Sequence, residues 1–226
     1  MELPADVTFE VTTPLDIRGD EEFWRLYEAS FGPAEREPRE VIVNSMEIGS
    51  GLAIRARVAD RTIGLATAQV LDDVAVTFLV YLAIDPDWRS KRFGSALFDA
   101  VDAAGAAGLA DRMRSPAGIV WEVEDPNNDV DEAERRLRQG RLRFYEKLGG
   151  RMLDTPYIQP PVDGHTLVPM RLMFRPAQGR SQPDRAASAA LVRAIYIQKY
   201  HAMNRIPIAI LEDLAAGLGA GEPDRQ

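Results

Sequence analysis

A basic turn at residues 89–92 carries the clearest chemical signal in this sequence. It follows the apolar run Phe78–Ile84 and precedes Phe93–Val101, where apolar residues recur at helical spacing. Pro86 ends the apolar run because proline has no amide hydrogen to donate. The pattern therefore predicts a strand, a cationic turn and a helix. Free amides at a helix N-terminus, beside positive side chains, suit a phosphate or a pyrophosphate.

The same turn resembles the signature of the GNAT superfamily of acyl-CoA-dependent N-acyltransferases. In that family a Gln/Arg-x-x-Gly-x-Gly/Ala sequence lies between a strand and a helix, and its amides hold the pyrophosphate of coenzyme A. Arg89, Gly94 and the residues after Gly94 match this pattern, whereas Arg92 stands in place of the first glycine. A positive φ at this position would disfavour a side chain, whereas a helical conformation would tolerate Arg92 and add a cation.

The resemblance implies acetyl-CoA as co-substrate, with no metal required. It also implies that strand amides hold the pantetheine arm and polarise the thioester carbonyl, as oxyanion donors do. The implied cofactor-binding residues are Leu82, Ala83, Ile84, Arg89, Ser90, Lys91, Arg92, Phe93, Gly94, Ser95 and Asn127.

A second segment, 143–150, is similar to the Phe-Tyr-x-x-x-Gly-Phe motif of the same family. The motif's tyrosine commonly protonates the departing CoA thiolate, so the resemblance implies that Tyr145 is the general acid. Residues 121–123, with Asn127, resemble a pattern of N-terminal-amine acetyltransferases in which the glutamate takes a proton from the amine. Glu122 is therefore a candidate base, and Glu124, one strand repeat further on the same face, is its rival.

The early helices of the family border the acceptor pocket. The resemblance thus implies substrate-side roles for Trp24, Tyr27, Glu28 and Phe31, and Tyr81 on the central strand is a candidate to position a water. Aromatic residues at helical spacing are also typical of a hydrophobic core, which is the more ordinary interpretation for most of them.

Apolar periodicity places these residues on a mixed α/β fold. Short turns between the early strands predict antiparallel pairing, and the helix between Phe78–Ile84 and Ile119–Glu124 predicts that those two strands are parallel. With the resemblance, this is a GNAT-like, mostly antiparallel sheet with a splayed parallel strand pair and flanking helices. The other predicted strands are Val7–Thr12, Leu52–Val58, Thr62–Leu71, Arg151–Ile158 and Leu167–Phe174, and the other predicted helices are Asp20–Phe31, Arg39–Ile48, Glu132–Leu148, Arg185–Met203 and Ile208–Leu218.

Residues 1–176 are predicted to form the acetyltransferase domain, and residues 177–226 a C-terminal helical extension outside the usual fold. The polar segment 177–184, with its glycine and prolines, has the composition of a linker. The extra helices could pack on the domain, cover the acceptor groove or join a second copy in a homodimer. Packing on the same chain is the expectation.

The composition restricts the function further. The 226 residues contain no cysteine, which excludes disulfides, thiolate metal sites and a cysteine nucleophile. The net charge of −8 argues against general nucleic-acid binding and fits an amine acceptor. The sequence shows neither a signal pattern nor an apolar stretch long enough for a bilayer, which favours a cytoplasmic protein without a membrane partner.

These observations favour N-acetylation of a small-molecule amine by direct transfer from acetyl-CoA. Acetylation of a protein N-terminus or lysine is the first alternative. A non-catalytic acyl-CoA-binding or regulatory module is the second, because Arg92 and the long link from Glu122 to Tyr145 depart from the family pattern. The acidic segment 128–134 within that link is either an early start of the helix that carries Tyr145 or a lid.

Overall fold

The computed structural model describes residues 7–33, 35–89, 91–128, 130–162 and 164–219. The chain divides into two units, Met1–Ile119 and Val120–Gln226, with the boundary inside a strand. This division after Ile119 differs from the predicted domain boundary at residue 176, and that boundary stays a prediction.

The first unit is built on an antiparallel sheet of four strands in the order β1-β2-β3-β4. These strands are β1 (Val7–Val11), β2 (Gly51–Val58), β3 (Arg61–Leu71) and β4 (Val76–Ile84). Every residue of β3 after Arg61 is buried, which means that both faces of the sheet are covered. The pairing of β3 with β4 shifts between Leu79 and Tyr81, so β4 has a bulge at Val80.

Three short helices pack on one face of this sheet: α1 (Pro14–Arg18), α2 (Glu21–Ser30) and α3 (Arg39–Glu47). The side chain of Asp20 caps α2 by accepting a hydrogen bond from the amide of Phe23 at 2.9 Å, as its sequence position predicts. Helix α1 was not predicted, although Thr13 and Pro14 form a regular helix start. The core on this face is formed by Ile17, Phe23, Trp24, Leu26, Tyr27, Ile42, Val43, Met46, Ala53, Leu65, Tyr81 and Ala83.

Helix α4 (Phe93–Asp111) packs against the sheet at very short range. A Cβ added at Gly105 would lie 2.1 Å from the Thr77 hydroxyl oxygen and 2.9 Å from the Thr77 Cβ. A Cβ added at Gly108, three residues along the same helix, would meet Val70 at an ordinary 3.7 Å. Gly105 is therefore required for the close approach of α4 to β4, and Gly108 is not.

The second unit contains the remaining strands and α5 (Glu132–Lys147). Strand β5 (Gly118–Glu124) lies beside β8 (Val168–Pro176), and two short strands, β6 (Arg151–Met152) and β7 (Tyr157–Gln159), pair antiparallel with β8. The single strand predicted for 151–158 is wrong. The chain bends at Asp154 and Thr155, and Pro156 has no amide hydrogen for a continuous ladder.

The C-terminal extension consists of α6 (Arg185–Ala194), a π-helix (Ile195–His201) and α7 (Ile208–Gly219). The helix predicted over 185–203 is present, but its second half is π-helical, which the sequence did not predict. The extension contacts its own chain, because the Tyr196 hydroxyl donates a hydrogen bond to the Ile158 carbonyl at 2.8 Å.

The predicted fold class, an α/β fold with a mostly antiparallel sheet, is confirmed. Within the described ranges, every helix is too short or too polar to cross a lipid bilayer.

The packing of α4 gives a paired test of stability. We expect Gly105→Ala to lower the free energy of unfolding by about 1–3 kcal/mol, because the added methyl group overlaps Thr77. Gly108→Ala is the matched control and should raise the free energy of unfolding by about 0.5–1 kcal/mol through helix propensity alone. Urea unfolding measures both. Equal effects of the two substitutions would contradict the close approach at Gly105.

Candidate active site

The basic turn between β4 and α4 is held by its own side chains. Arg89 donates from Nε to the Ile84 carbonyl at 3.1 Å, and the Lys91 ammonium lies 4.7 Å from the ring centre of Trp88. The Asp85 carboxylate accepts from the Asp87 amide at 3.0 Å. The turn therefore presents cations beside the start of a 19-residue helix. Ser90, a predicted cofactor contact, lies outside the described residues.

Arg92 is the N-cap of α4 and has φ +65° and ψ 5°. This is the left-handed region, where a Cβ is unfavourable. Of the two conformations considered for Arg92, the structure therefore has the positive φ and not the helical one. The Arg92 side chain makes no capping hydrogen bond. The amides of Phe93, Gly94 and Ser95 in the first helical turn are therefore the natural donors for an anion.

The Tyr81 hydroxyl on β4 fixes the segment between α2 and α3. It donates to the Glu35 carbonyl at 2.7 Å and accepts from the Glu37 amide at 3.0 Å. The Tyr27 hydroxyl donates to the Glu37 carbonyl at 3.1 Å, and the two tyrosine rings lie 4.9 Å apart. Burial raises the pKa of both tyrosines, which keeps both hydroxyls protonated as donors.

Trp24 and Tyr27 belong to the core of the first unit. Each is 1% exposed, and the Trp24 indole donates to the Ile17 carbonyl at 2.7 Å, so the structure gives these side chains a packing role. Glu28 is exposed and pairs with Arg39 at 2.6 Å. The hydrogen bond from Arg39 lowers the pKa of Glu28. The substrate-side roles of these residues and of Tyr81 stay predictions.

Glu122 on β5 is surrounded by hydrogen-bond donors. Its Oε1 accepts from the Tyr157 hydroxyl at 2.5 Å and from the Tyr200 hydroxyl at 2.7 Å, and its Oε2 accepts from Gln159 Nε2 at 3.0 Å. Burial raises the pKa of Glu122 because it disfavours the charged form, while these three donors and the charge of Lys199 act in the opposite direction. A carboxylate with a raised pKa suits general base chemistry.

Glu124, the rival candidate base, is engaged by α5. It forms ion pairs with Arg138, at 3.4 Å, and with Arg141. Arg138 also pairs with Glu134 at 2.9 Å. Among the described residues of α5 no residue is fully buried, and these ion pairs join the ring contact of Tyr145 with Trp121 in attaching the helix to β5. Helix α5 begins at Glu132, which places the end of the acidic segment in its first turn.

Tyr145 on α5 packs against the strand that carries Glu122. Its ring centre lies 4.8 Å from that of Trp121, the neighbour of Glu122. A Cβ added at Gly150 would lie 2.6 Å from the Trp121 indole, so glycine makes room for this ring pair. Burial raises the pKa of Tyr145 to about 12, which keeps its hydroxyl protonated at neutral pH and able to donate.

Tyr145 contacts β5 through Trp121, the neighbour of Glu122 in the second unit. Because successive residues of a strand point to opposite faces, this ring contact does not place the Tyr145 hydroxyl beside the Glu122 carboxylate. Asn127 lies in an exposed turn, where its backbone N–H donates to the Asp125 carboxylate at 2.8 Å.

Three residues that contact Glu122 were not predicted from the sequence, namely Tyr157, Gln159 and Tyr200. The sequence feature that involves one of them is the pair Tyr196 and Tyr200 at helical spacing. That spacing predicts a packed helix face and does not identify Tyr200 as a partner of Glu122.

Comparison with known proteins identifies the family. The model of the acetyltransferase (GNAT) family matches residues 20–149, more than half of the chain. The chain belongs to the GNAT family. No curated protein sequence matches it.

Solved structures of GNAT proteins share its fold. A protein from Bacteroides thetaiotaomicron described as a GNAT-family acetyltransferase has 20% identity and a TM-score of 0.64, and the match covers 88% of this chain and 99% of that one. An aminoglycoside 6'-N-acetyltransferase has 18% identity and a TM-score of 0.55, covering 78% of this chain and 99% of that one. NAA60 from Arabidopsis thaliana has 16% identity and a TM-score of 0.54, covering 76% and 99%. At such identities the likeness shows the fold alone.

In this GNAT-family protein the matched segment contains the basic turn, Glu122 and Tyr145. Tyr157, Gln159 and Tyr200, which contact Glu122, lie beyond that segment. In the part of the chain that the structure describes, no group of three His, Asp or Glu side chains is arranged to hold a metal ion.

The backbone of Arg92 gives a test that separates strain from charge. We expect Arg92→Gly to be more stable than Arg92→Ala by about 1 kcal/mol, because both variants lose the guanidinium group but only alanine keeps a Cβ at positive φ. Thermal and urea unfolding measure the difference. An alanine variant as stable as the glycine variant would show that position 92 does not hold the left-handed conformation in solution.

Proposed function

We propose that this GNAT-family protein transfers the acetyl group of acetyl-CoA to a primary amine of a small molecule, by direct transfer. The observation that carries the proposal is the basic turn ahead of α4, where Arg89, Lys91 and Arg92 flank helix amides that no side chain of the N-cap satisfies. Amides and cations in this arrangement fit a pyrophosphate. Two of the similar structures hold coenzyme A or acetyl-CoA, which supports the same donor here.

The proposed chemistry needs two proton transfers. Acetyl-CoA supplies the acetyl group as a thioester. Glu122 accepts the proton that the amine loses as the new C–N bond forms, and Tyr145 gives its hydroxyl proton to the sulfur as the C–S bond breaks. Backbone amides of Leu82 and Ile84 on β4 polarise the carbonyl oxygen. Glu124 is the weaker candidate base, because two guanidinium groups engage its oxygens.

A small cationic acceptor is supported by the net charge of −8, since a negative protein attracts cations. Acetylation of a protein N-terminus is the second candidate function. It is favoured by the segment 121–123 with Asn127, which resembles the pattern of N-terminal-amine acetyltransferases. Rates of thiol release with a panel of small amines and of peptides, measured at equal concentration, separate the two. A peptide that outcompetes every small amine would overturn the first choice.

The donor site can be tested by titration calorimetry. We expect wild-type protein to bind acetyl-CoA saturably and to give no signal with ATP. Gly94→Glu should weaken acetyl-CoA binding about tenfold or more, because a carboxylate beside the phosphates costs about 1.4 kcal/mol or more. Ala103→Glu adds the same charge at an exposed position of the same helix and should leave the affinity unchanged. Equal affinity of both variants would contradict the assignment of the turn.

The role of Tyr145 is tested by Tyr145→Phe, which keeps the ring beside Trp121 and removes only the hydroxyl. We expect kcat for thiol release to fall about 100-fold, the usual worth of a general acid. The affinity for acetyl-CoA should stay the same. Unchanged turnover would remove Tyr145 from the mechanism, and lost binding would assign it to the donor site instead.

A further inference from the structure

The donors around Glu122 do not use every acceptor position of its carboxylate. A carboxylate offers about four lone-pair positions. Tyr157 and Tyr200 use both positions on Oε1, and Gln159 uses one on Oε2. Among the hydrogen bonds that the described residues make, one position on Oε2 therefore remains. An amine N–H, or a water that relays its proton, fits that position.

One of these three donors comes from far along the chain. Tyr200 lies 78 residues after Glu122, in the π-helix of the C-terminal extension and beyond the segment that matches the family. Gln159 Nε2 also lies 3.4 Å from the Tyr200 hydroxyl, so Glu122, Gln159 and Tyr200 form a closed ring of hydrogen bonds, which Tyr157 joins through Glu122. Such satisfied polar networks hold their members in one arrangement.

The backbone around Tyr200 is unusual as well. The Ala202 amide donates to the Ile197 carbonyl at 3.0 Å, a bond across five residues that defines a π-helix. π-helical turns are rare and recur at functional sites. The irregular turn thus coincides with the place where the extension meets Glu122.

We propose that Tyr200 is a positioning residue of the active site: its hydroxyl fixes the Glu122 carboxylate so that Oε2 faces the amine. The C-terminal extension is then part of the catalytic centre rather than an appendage. This inference rests on the proposed function, because it gives Tyr200 a role through the base that the proposed reaction uses.

The direction of a pH effect follows from the groups that face Glu122. Tyr157 faces it from β7, and Tyr196, Lys199 and Tyr200 interact with it from the π-helix, while Glu124 on β5 is paired with arginines. The hydroxyl of Tyr200 donates to the charged carboxylate and so favours the ionised form. Removing that hydroxyl raises the pKa of Glu122. Because the base works only when ionised, the acidic limb of the rate profile moves to higher pH.

The test compares two substitutions in the same π-helix. We expect Tyr200→Phe to lower kcat about tenfold, the size of one charge-assisted hydrogen bond, with an unchanged KM for acetyl-CoA. The acidic limb of kcat/KM should also shift to higher pH. Tyr196→Phe is the matched control, because its hydroxyl donates to the Ile158 carbonyl instead of to Glu122. It should lose stability without moving the pH profile.

Two outcomes would overturn the inference. One is an equal loss of kcat and an equal shift in both variants, which would show that the extension only stabilises the fold. The other is a Tyr200→Phe enzyme with an unchanged rate and pH profile.

Failure of the proposed function has a different signature. If wild-type protein releases thiol with no amine, or if Glu122→Gln retains full activity, the proposed reaction or its base is wrong. The contact is then measured by carbon-13 NMR titration of the labelled Glu122 carboxyl group. A pKa that rises in Tyr200→Phe and not in Tyr196→Phe supports the positioning contact, and an unchanged pKa overturns it.

Discussion

Withdrawing a carboxylate from water is costly unless hydrogen bonds replace the water that it loses, and this constraint gathers three donors around the half-buried Glu122. The constraint explains why a tyrosine and a glutamine of the three-residue strand β7 point to one oxygen pair, and why Tyr200 of the C-terminal extension joins them. Each donor restrains the element that carries it. The Glu122 carboxylate, which is the candidate base, consequently links strand β5, strand β7 and the π-helix to one another.

The first unit meets a different requirement, which is to hold backbone amides in fixed directions. Gly105 lets α4 approach β4 closely, and the side chains of Asp85 and Arg89 brace the turn that leads into α4. On the opposite side of the sheet, Tyr81 binds the main chain of the segment between α2 and α3. Packing on both sides of β4 holds the end of this strand and the start of α4 in a fixed relative position, as anion recognition by backbone amides requires.

The sequence predicted the elements whose signals are local, and missed contacts between distant residues. The cap at Asp20, the strands β3 and β4 and the helix that carries Tyr145 follow from residue types within one or two turns. The φ of Arg92 stayed open between two alternatives, because the left-handed conformation found here is one that a residue with a Cβ usually avoids. Tyr157 and Tyr200 lie 35 and 78 residues from Glu122, and nothing local in the sequence marks them as its partners. The roles of the site residues remain predictions.

The attachment of α5 has a consequence for the conditions in which the protein works. Glu124, Glu134, Arg138 and Arg141 form a chain of alternating charges, in which the Arg141 side chain is exposed and the Glu134 side chain is half-buried. The distance beyond which dissolved ions screen the interaction of exposed charges falls from about 10 Å at 0.1 M ionic strength to about 3 Å at 1 M. The ring contact of Tyr145 with Trp121 does not depend on charge. Concentrated salt therefore weakens the pair of Arg141 with Glu134 more than the better shielded pair of Glu124 with Arg138, so the contacts of α5 differ in how far they depend on ionic strength.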